Sequence, residues 1–270
     1  MRLAISNIAW DRAEDDVVVD VLQRHGIDAV DLAPGKYFPD PEAATTGDID
    51  DVARWWHDRG FEITGMQALL FGTTGLNVFG DAQSQSRLLQ RLDAVCRIAA
   101  GLGGRRLVFG SPRQRDRGAL SDTDAGTVAT DFFRRAGDIA AAYGVVVCLE
   151  PNPVRYGCNF LTDSEAAAAM VRRIAHPTIR LQFDLGSLTI NGEDVAVVVP
   201  DCRDLIGHIH LSEPDLAPLG DSATDHARAA AVIREHLPDL VAAIEMNATA
   251  TETHPESIAR ALEVAQRFYS

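Results

Sequence analysis

Residues 145–151, VVVCLEP, decide the fold. A short run of β-branched and apolar residues ends in a carboxylate, Glu150, and the proline after it stops the strand. The same arrangement recurs three more times: IRLQFDLG ends on Asp184, IGHIHLSEP carries His210, and LVAAIEMN ends on Glu245. The steps between these four residues are 34, 26 and 35 positions, about the length of one strand–helix–strand unit. In a closed parallel barrel, consecutive strand ends converge on one mouth. Four such side chains then form one oxygen-rich, single-histidine cluster suited to a hard or borderline divalent cation.

Working outward, the remaining strand-type runs lie near residues 2–7, 27–32, 62–67 and 105–110, with the last four near 144–150, 178–184, 205–211 and 239–246. Helical spacing fills the intervals, most clearly at 15–25, 83–102, 126–142, 163–174 and 254–268. After the sixth strand, NGEDVAVVVPD leaves room for only two or three turns. Strands alternating with helices predict a single (β/α)8 TIM barrel spanning residues 1–270, with no linker or low-complexity break. An open doubly wound sheet usually carries a glycine-rich loop after its first strand. Here that strand runs into Ile8-Ala9-Trp10-Asp11, without a glycine.

Composition narrows the partners. The 270 residues are 46% hydrophobic and 24% charged, an ordinary globular balance, with a formal net charge of −14. That charge repels phosphate backbones and argues against nucleic acid. No apolar run approaches the roughly 18–20 residues of a membrane span. The first residues turn acidic too early for a signal peptide. The four cysteines have no paired spacing and read as free thiols. Together these predict a cytoplasmic protein.

Alternation of side chains across a strand sorts the candidates. His208 and His210 share a face, and His210 lies nearer the C-terminal mouth. His210 is therefore assigned to the cation and His208 to the layer below, where it can face substrate. Asp184 tops Gln182 and Arg180, and Glu150 tops Cys148 and Val146. Inward carboxylates among apolar neighbours are costly unless paired or bound to metal.

On the segments LEPN, FDLG, HIHLSEP and AIEM, the chain resembles the xylose isomerase-like barrel superfamily, the sugar phosphate isomerase/epimerase group that shares a fold with endonuclease IV. The resemblance implies that Glu150, Asp184, His210 and Glu245 bind one divalent ion: manganese, magnesium or cobalt, with zinc behind them. It implies that Glu150 and Glu245 also act as the acid/base pair. Dimers and tetramers are common in the group. One position departs from the pattern. Ketose epimerases often carry a second, substrate-contacting histidine three residues after the sixth-strand aspartate, where this chain has Ser187. The endonuclease branch uses a histidine-rich trinuclear zinc site, which eight histidines, several in helical segments, do not match.

Further candidates lie on the loops of the same face. Asn152 and Asn159 follow the fifth strand and can hydrogen-bond hydroxyls. Glu213 can orient a ligand or cap its own loop. Lys36, the only lysine, can meet a phosphate or carboxylate, as can Arg113, Arg115 and Arg117. Trp10, Gln67 and Phe71 form a candidate wall for a sugar ring. The apolar loop LLFGTTGLNVFG is either a lid or an interface.

The expected chemistry is proton transfer through a metal-stabilised enediolate of a sugar or sugar derivative. Returning the proton to the opposite face of the same carbon gives epimerisation, and to the adjacent carbon aldose–ketose isomerisation. Loss of a β-hydroxyl gives dehydration of a keto-cyclitol or keto-acid. A non-catalytic metabolite-binding barrel is the remaining class.

Overall fold

The computed structural model describes residues 1–270. Eight parallel strands close into a barrel in sequence order: β1 (Leu3–Ser6), β2 (Ala29–Leu32), β3 (Glu62–Met66), β4 (Arg106–Phe109), β5 (Val146–Leu149), β6 (Ile179–Asp184), β7 (Ile206–Ser212) and β8 (Ala242–Glu245). Pairing of Leu3 with Ala242 and of Ile5 with Ile244 closes the ring.

Nine α-helices surround the strands: α1 (Asp15–Arg24), α2 (Thr46–His57), α3 (Ala82–Leu102), α4 (Asp122–Tyr143), α5 (Ser164–Ile174), α6 (Leu185–Asn191), α7 (Val195–Cys202), α8 (His226–His236) and α9 (His254–Tyr269). Their ends are written locally. The side chains of Asp81, Ser121 and Asp163 accept the backbone N–H three residues on and start α3, α4 and α5. Helix α4 begins four residues ahead of the predicted 126 because Ser121 caps it and Asp122 and Asp124 complement its first turn. The short stretch after β6 splits in two. Helix α6 stops at Gly192, in the left-handed conformation, and Asp194 caps a new start for α7. No helix is long and apolar enough to cross a membrane.

The main hydrophobic core, 71 buried residues, lies between sheet and helices. Only Ala4, Ala29 and Ala243 form a separate small cluster, on the strand faces that also carry Asp31 and Glu245. The barrel interior above these alanines is therefore polar, holding Asp31, Gln182, His208 and His210, all buried.

Candidate metal centre

Four consecutive strands supply the centre. Strand register sets Asp184 of β6 directly beside His210 of β7, and Ser212 of β7 beside Glu245 of β8. Glu150 follows β5, where its backbone N–H still bonds to Phe109 O at 3.2 Å. Ligand atoms of Glu150, Asp184, His210 and Glu245 all lie within 4.8 Å of one another.

The two glutamates are held alike. Glu150 Oε1 lies 3.3 Å from His210 Nδ1, and Glu245 Oε2 lies 3.2 Å from the same nitrogen. The other oxygen of each accepts from a side-chain amide: Asn152 Nδ2 donates to Glu150 Oε2 at 3.1 Å, and Gln67 Nε2 to Glu245 Oε1 at 2.8 Å. Asp184 is held at both oxygens, by the Ser187 N–H at 2.6 Å and the Ser212 hydroxyl at 2.6 Å. The Ser187 bond also caps α6, so the helix that starts at the site fixes its ligand.

The electrostatics are those of too much negative charge in too little water. Burial, then the charges of Glu245 and Glu150, push Asp184 up to about 7. Burial opposes a charge on His210, but Glu245 and Glu150 outweigh it and raise its pKa well above the usual histidine value. Burial also acts against the Glu245 carboxylate, and His210 with the Gln67 amide brings its pKa below the usual range. Both ring nitrogens of His210 and Glu150 Oε1 are buried without a hydrogen-bond partner. Three carboxylates converging on a partnerless imidazole nitrogen fit a divalent cation.

Beneath this cluster lies a pair that sequence reading missed. His208 Nε2 lies 2.6 Å from Asp31 Oδ2, and Thr64 donates to Asp31 Oδ1 at 2.7 Å. Burial raises the Asp31 pKa, but the charge and hydrogen bond of His208 outweigh it and hold the carboxylate low. A Cβ on Gly65 would come within 2.8 Å of Asp31 Oδ1, so glycine there makes room for the pair. The His208 and His210 rings pack edge to face, centroids 5.3 Å apart. His208 is enclosed in the barrel and does not line the cavity at the mouth.

Three loop charges have partners within the chain, and Lys36 also lines the larger cavity at the mouth. Lys36 donates to the carbonyls of Asn7, at 2.6 Å, and Trp10, and burial lowers its pKa against the pull of Asp11, Asp15 and Glu14. Arg115 is 0% exposed. It donates to Glu150 O at 2.6 Å and Gly110 O at 3.4 Å, bracing the segments that follow β4 and β5. Arg117 pairs with Asp122, leaving Arg113 as the exposed member of that trio.

Glu213 accepts from the N–H groups of Gly220 at 2.9 Å and Thr224 at 3.2 Å and lies 3.0 Å from His226 Nε2, which organises its own loop. It still lines the cavity beside Asp184. Asn159 ties Arg117 N and Asp116 together and is structural. Trp10 is core, its indole N–H donating to Asp15 at 2.8 Å. In the apolar loop after β3, Leu69, Leu70, Leu76 and Val78 are buried, and Phe71 alone stands out at 85% exposure.

Sequence comparison gives one family and no curated relative. The profile of the xylose isomerase-like TIM barrel family matches residues 19–267, and no curated protein matches. Among solved structures, the chain is similar to D-psicose 3-epimerase with D-tagatose from Clostridium cellulolyticum H10, at TM-score 0.83 and 13% identity over 100% of both chains. It is similar to 3-keto-D-glucoside 4-epimerase from E. coli, at TM-score 0.78 and 17% identity over 97% of this chain and 98% of that one. A third is the IOLI protein with a binding zinc atom, at TM-score 0.75 and 15% identity over 100% and 98%. At such identities these structures establish a shared fold. The matched profile covers nearly the whole barrel, and the chain belongs to the xylose isomerase-like TIM barrel family.

Proposed function

We propose that this chain is a divalent-metal-dependent epimerase or isomerase of a sugar or sugar derivative. The observation that carries the reading is the paired environment of Glu150 and Glu245, each with one oxygen at His210 Nδ1 and the other on an amide donor. Glu150, Asp184, His210 and Glu245 would hold the ion, and a bound divalent ion supplies Lewis-acid polarisation of a substrate carbonyl and its neighbouring hydroxyl.

The residues divide the remaining work. Asp184, bonded at both oxygens, is a fixed ligand rather than a proton carrier. Glu150 and Glu245 come from strands three apart in the ring and approach the reacting carbon from different sides. One takes the C–H proton next to the carbonyl, and the electron pair moves onto the carbonyl oxygen. In epimerisation the other returns a proton to the opposite face of that carbon as the carbonyl re-forms; in isomerisation the proton goes to the former carbonyl carbon, and the neighbouring hydroxyl passes its proton to the former carbonyl oxygen as the new carbonyl forms. Gln67 and Asn152 keep each carboxylate aimed through both steps.

The fold neighbours support the choice of first substrates and ions. D-psicose and D-tagatose come from the epimerase structure, and zinc joins manganese, magnesium and cobalt in the metal panel. The test is deuterium entry into the recovered isomer in heavy water. One deuterium per product, lost by about 10²–10⁴-fold in Glu150→Gln and Glu245→Gln, is the expected result. A wild-type chain that takes up no divalent ion overturns the reading. An unsaturated, ultraviolet-absorbing product would assign the site to dehydration instead.

A further inference from the structure

The candidate centre opens into two lobes of opposite character. The first, about 320 Å³, has only two hydrophobic residues among eleven, and Asp184, Ser187 and Glu213 line it. The second, about 700 Å³, has nine hydrophobic residues among nineteen and runs toward Ile8, Leu70, Phe71 and Val108. Glu150, Glu245, Leu216 and Asn247 line both. The proton-transferring pair therefore stands at the junction.

Two backbone features show that the apolar lobe is built. Ala68 adopts φ 52°, left-handed, between the buried Gln67 and the segment that carries Phe71. Phe71 is 85% exposed at this lobe, while its neighbours Leu69 and Leu70 are 3% and 4% exposed. At the junction, Asp215 and Leu216 are both left-handed, at φ 61° and 54°, a costly conformation for two consecutive L-residues. The surroundings enforce it: Asn247 N–H donates to Leu216 O at 2.8 Å, Asp215 N–H donates to the Tyr156 hydroxyl at 2.8 Å, and Arg155 pairs with Asp215. The result is an apolar side chain fixed where the two lobes meet.

We propose that the substrate is amphiphilic: a hydroxylated ring or chain in the polar lobe, bearing an alkyl or aryl substituent that fills the apolar lobe. The inference rests on the reading of the site as a sugar epimerase or isomerase and names its substrate class. A free sugar would leave the larger, apolar lobe wet. An apolar substituent dries it, and each methylene buried is about four-fold in affinity.

The experiment measures binding to the metal-loaded protein by calorimetry, with methyl, hexyl and phenyl β-D-glucosides as probes, hexyl below its micelle concentration. None has a free carbonyl, so the readout does not pass through turnover. Hexyl and phenyl glucosides should bind at least about ten-fold tighter than methyl. Phe71→Ser, at an exposed position, should bring the hexyl-to-methyl ratio to within about three-fold of one. Equal binding of the three glucosides, no binding of the substituted ones, or a ratio untouched by Phe71→Ser overturns the proposal. The epimerase reading fails separately, through absent deuterium exchange.

Discussion

Ser212 donates its hydroxyl to Asp184 Oδ2 at 2.6 Å, from the strand beside it. With the Ser187 N–H on the other oxygen, it fixes the carboxylate before any cation arrives. Removing such a support typically costs about 10–100-fold in metal affinity. Ser212→Ala should therefore weaken cobalt binding by that factor, read by spectroscopic titration. An unchanged dissociation constant would show that Asp184 needs no hydroxyl to hold its place.

The protonation of the cluster in metal-free protein sets a pH dependence. Asp184, at about 7 when folded against 3.8 as an ordinary aspartate, binds its proton more tightly in the folded state. The stabilisation this gives the metal-free fold is present at low pH and is lost as pH rises from about 4 to about 7. His210, also raised, acts with the same sign at higher pH. A cation needs both groups deprotonated, so binding at neutral pH should release about one to two protons. The melting-temperature gap between loaded and metal-free protein should widen from about pH 5 to about pH 8. Calorimetry in two buffers of different ionisation enthalpy counts the protons, and a count of zero sinks the prediction.

Gly110 makes room for a ligand. A Cβ built on it would overlap Glu150 Oε2, and its carbonyl accepts from Asn152 at 2.8 Å. Gly110→Ala should swing Glu150 out of the cluster and cut metal affinity at least about ten-fold. The displaced atom is the far end of a side chain, so urea unfolding of the metal-free variant should match wild type. Normal metal uptake in this variant would falsify the assigned orientation of Glu150.

Asp31 and His208 form the buried pair under the centre, at 2.6 Å. Removing one partner of such a pair strands the other, at a cost of about 3–5 kcal/mol. Asp31→Ala should lose that much stability in urea denaturation of metal-free protein. A loss below about 1 kcal/mol would mean that His208 finds another partner.

The barrel was legible because period-2 and period-3.6 patterns alternate cleanly along the chain, and each strand-like run lies within a few residues of an observed strand. Parity also carried information: Asp184, chosen as the uppermost inward residue of its strand, and His210, chosen over His208 as nearer the mouth, are register partners. What escaped was irregular. Asp31 lies where the β2–β3 register shifts between Val30 and Asp31, and a lone aspartate in AVDL reads as an ordinary alternating residue. Ser212 shares the face of His210, two positions on, and parity alone would have found it.

The hydrogen bonds of Lys36 and Arg115 were not legible from charge alone. Carbonyl groups capture both, and no spacing rule registers backbone acceptors. The left-handed pair Asp215–Leu216 carries no glycine or asparagine to announce it.

The clustered side chains and some of their supports are divided along the chain. Glu150, Asp184, His210 and Glu245 belong to the second half of the barrel, whereas Asp31, Gln67 and Gly110 belong to the first. A fragment beginning at β5 would hold all four clustered side chains, with Asn152, Ser187 and Ser212, and still lack Gln67, which donates to Glu245, and the Gly110 carbonyl that accepts from Asn152. The β1–β8 pairing joins residues near opposite ends of the sequence, so its loop-closure cost is the highest in the ring. High-affinity cation capture then reports that closure: during refolding, uptake should keep time with the joining of β1 to β8.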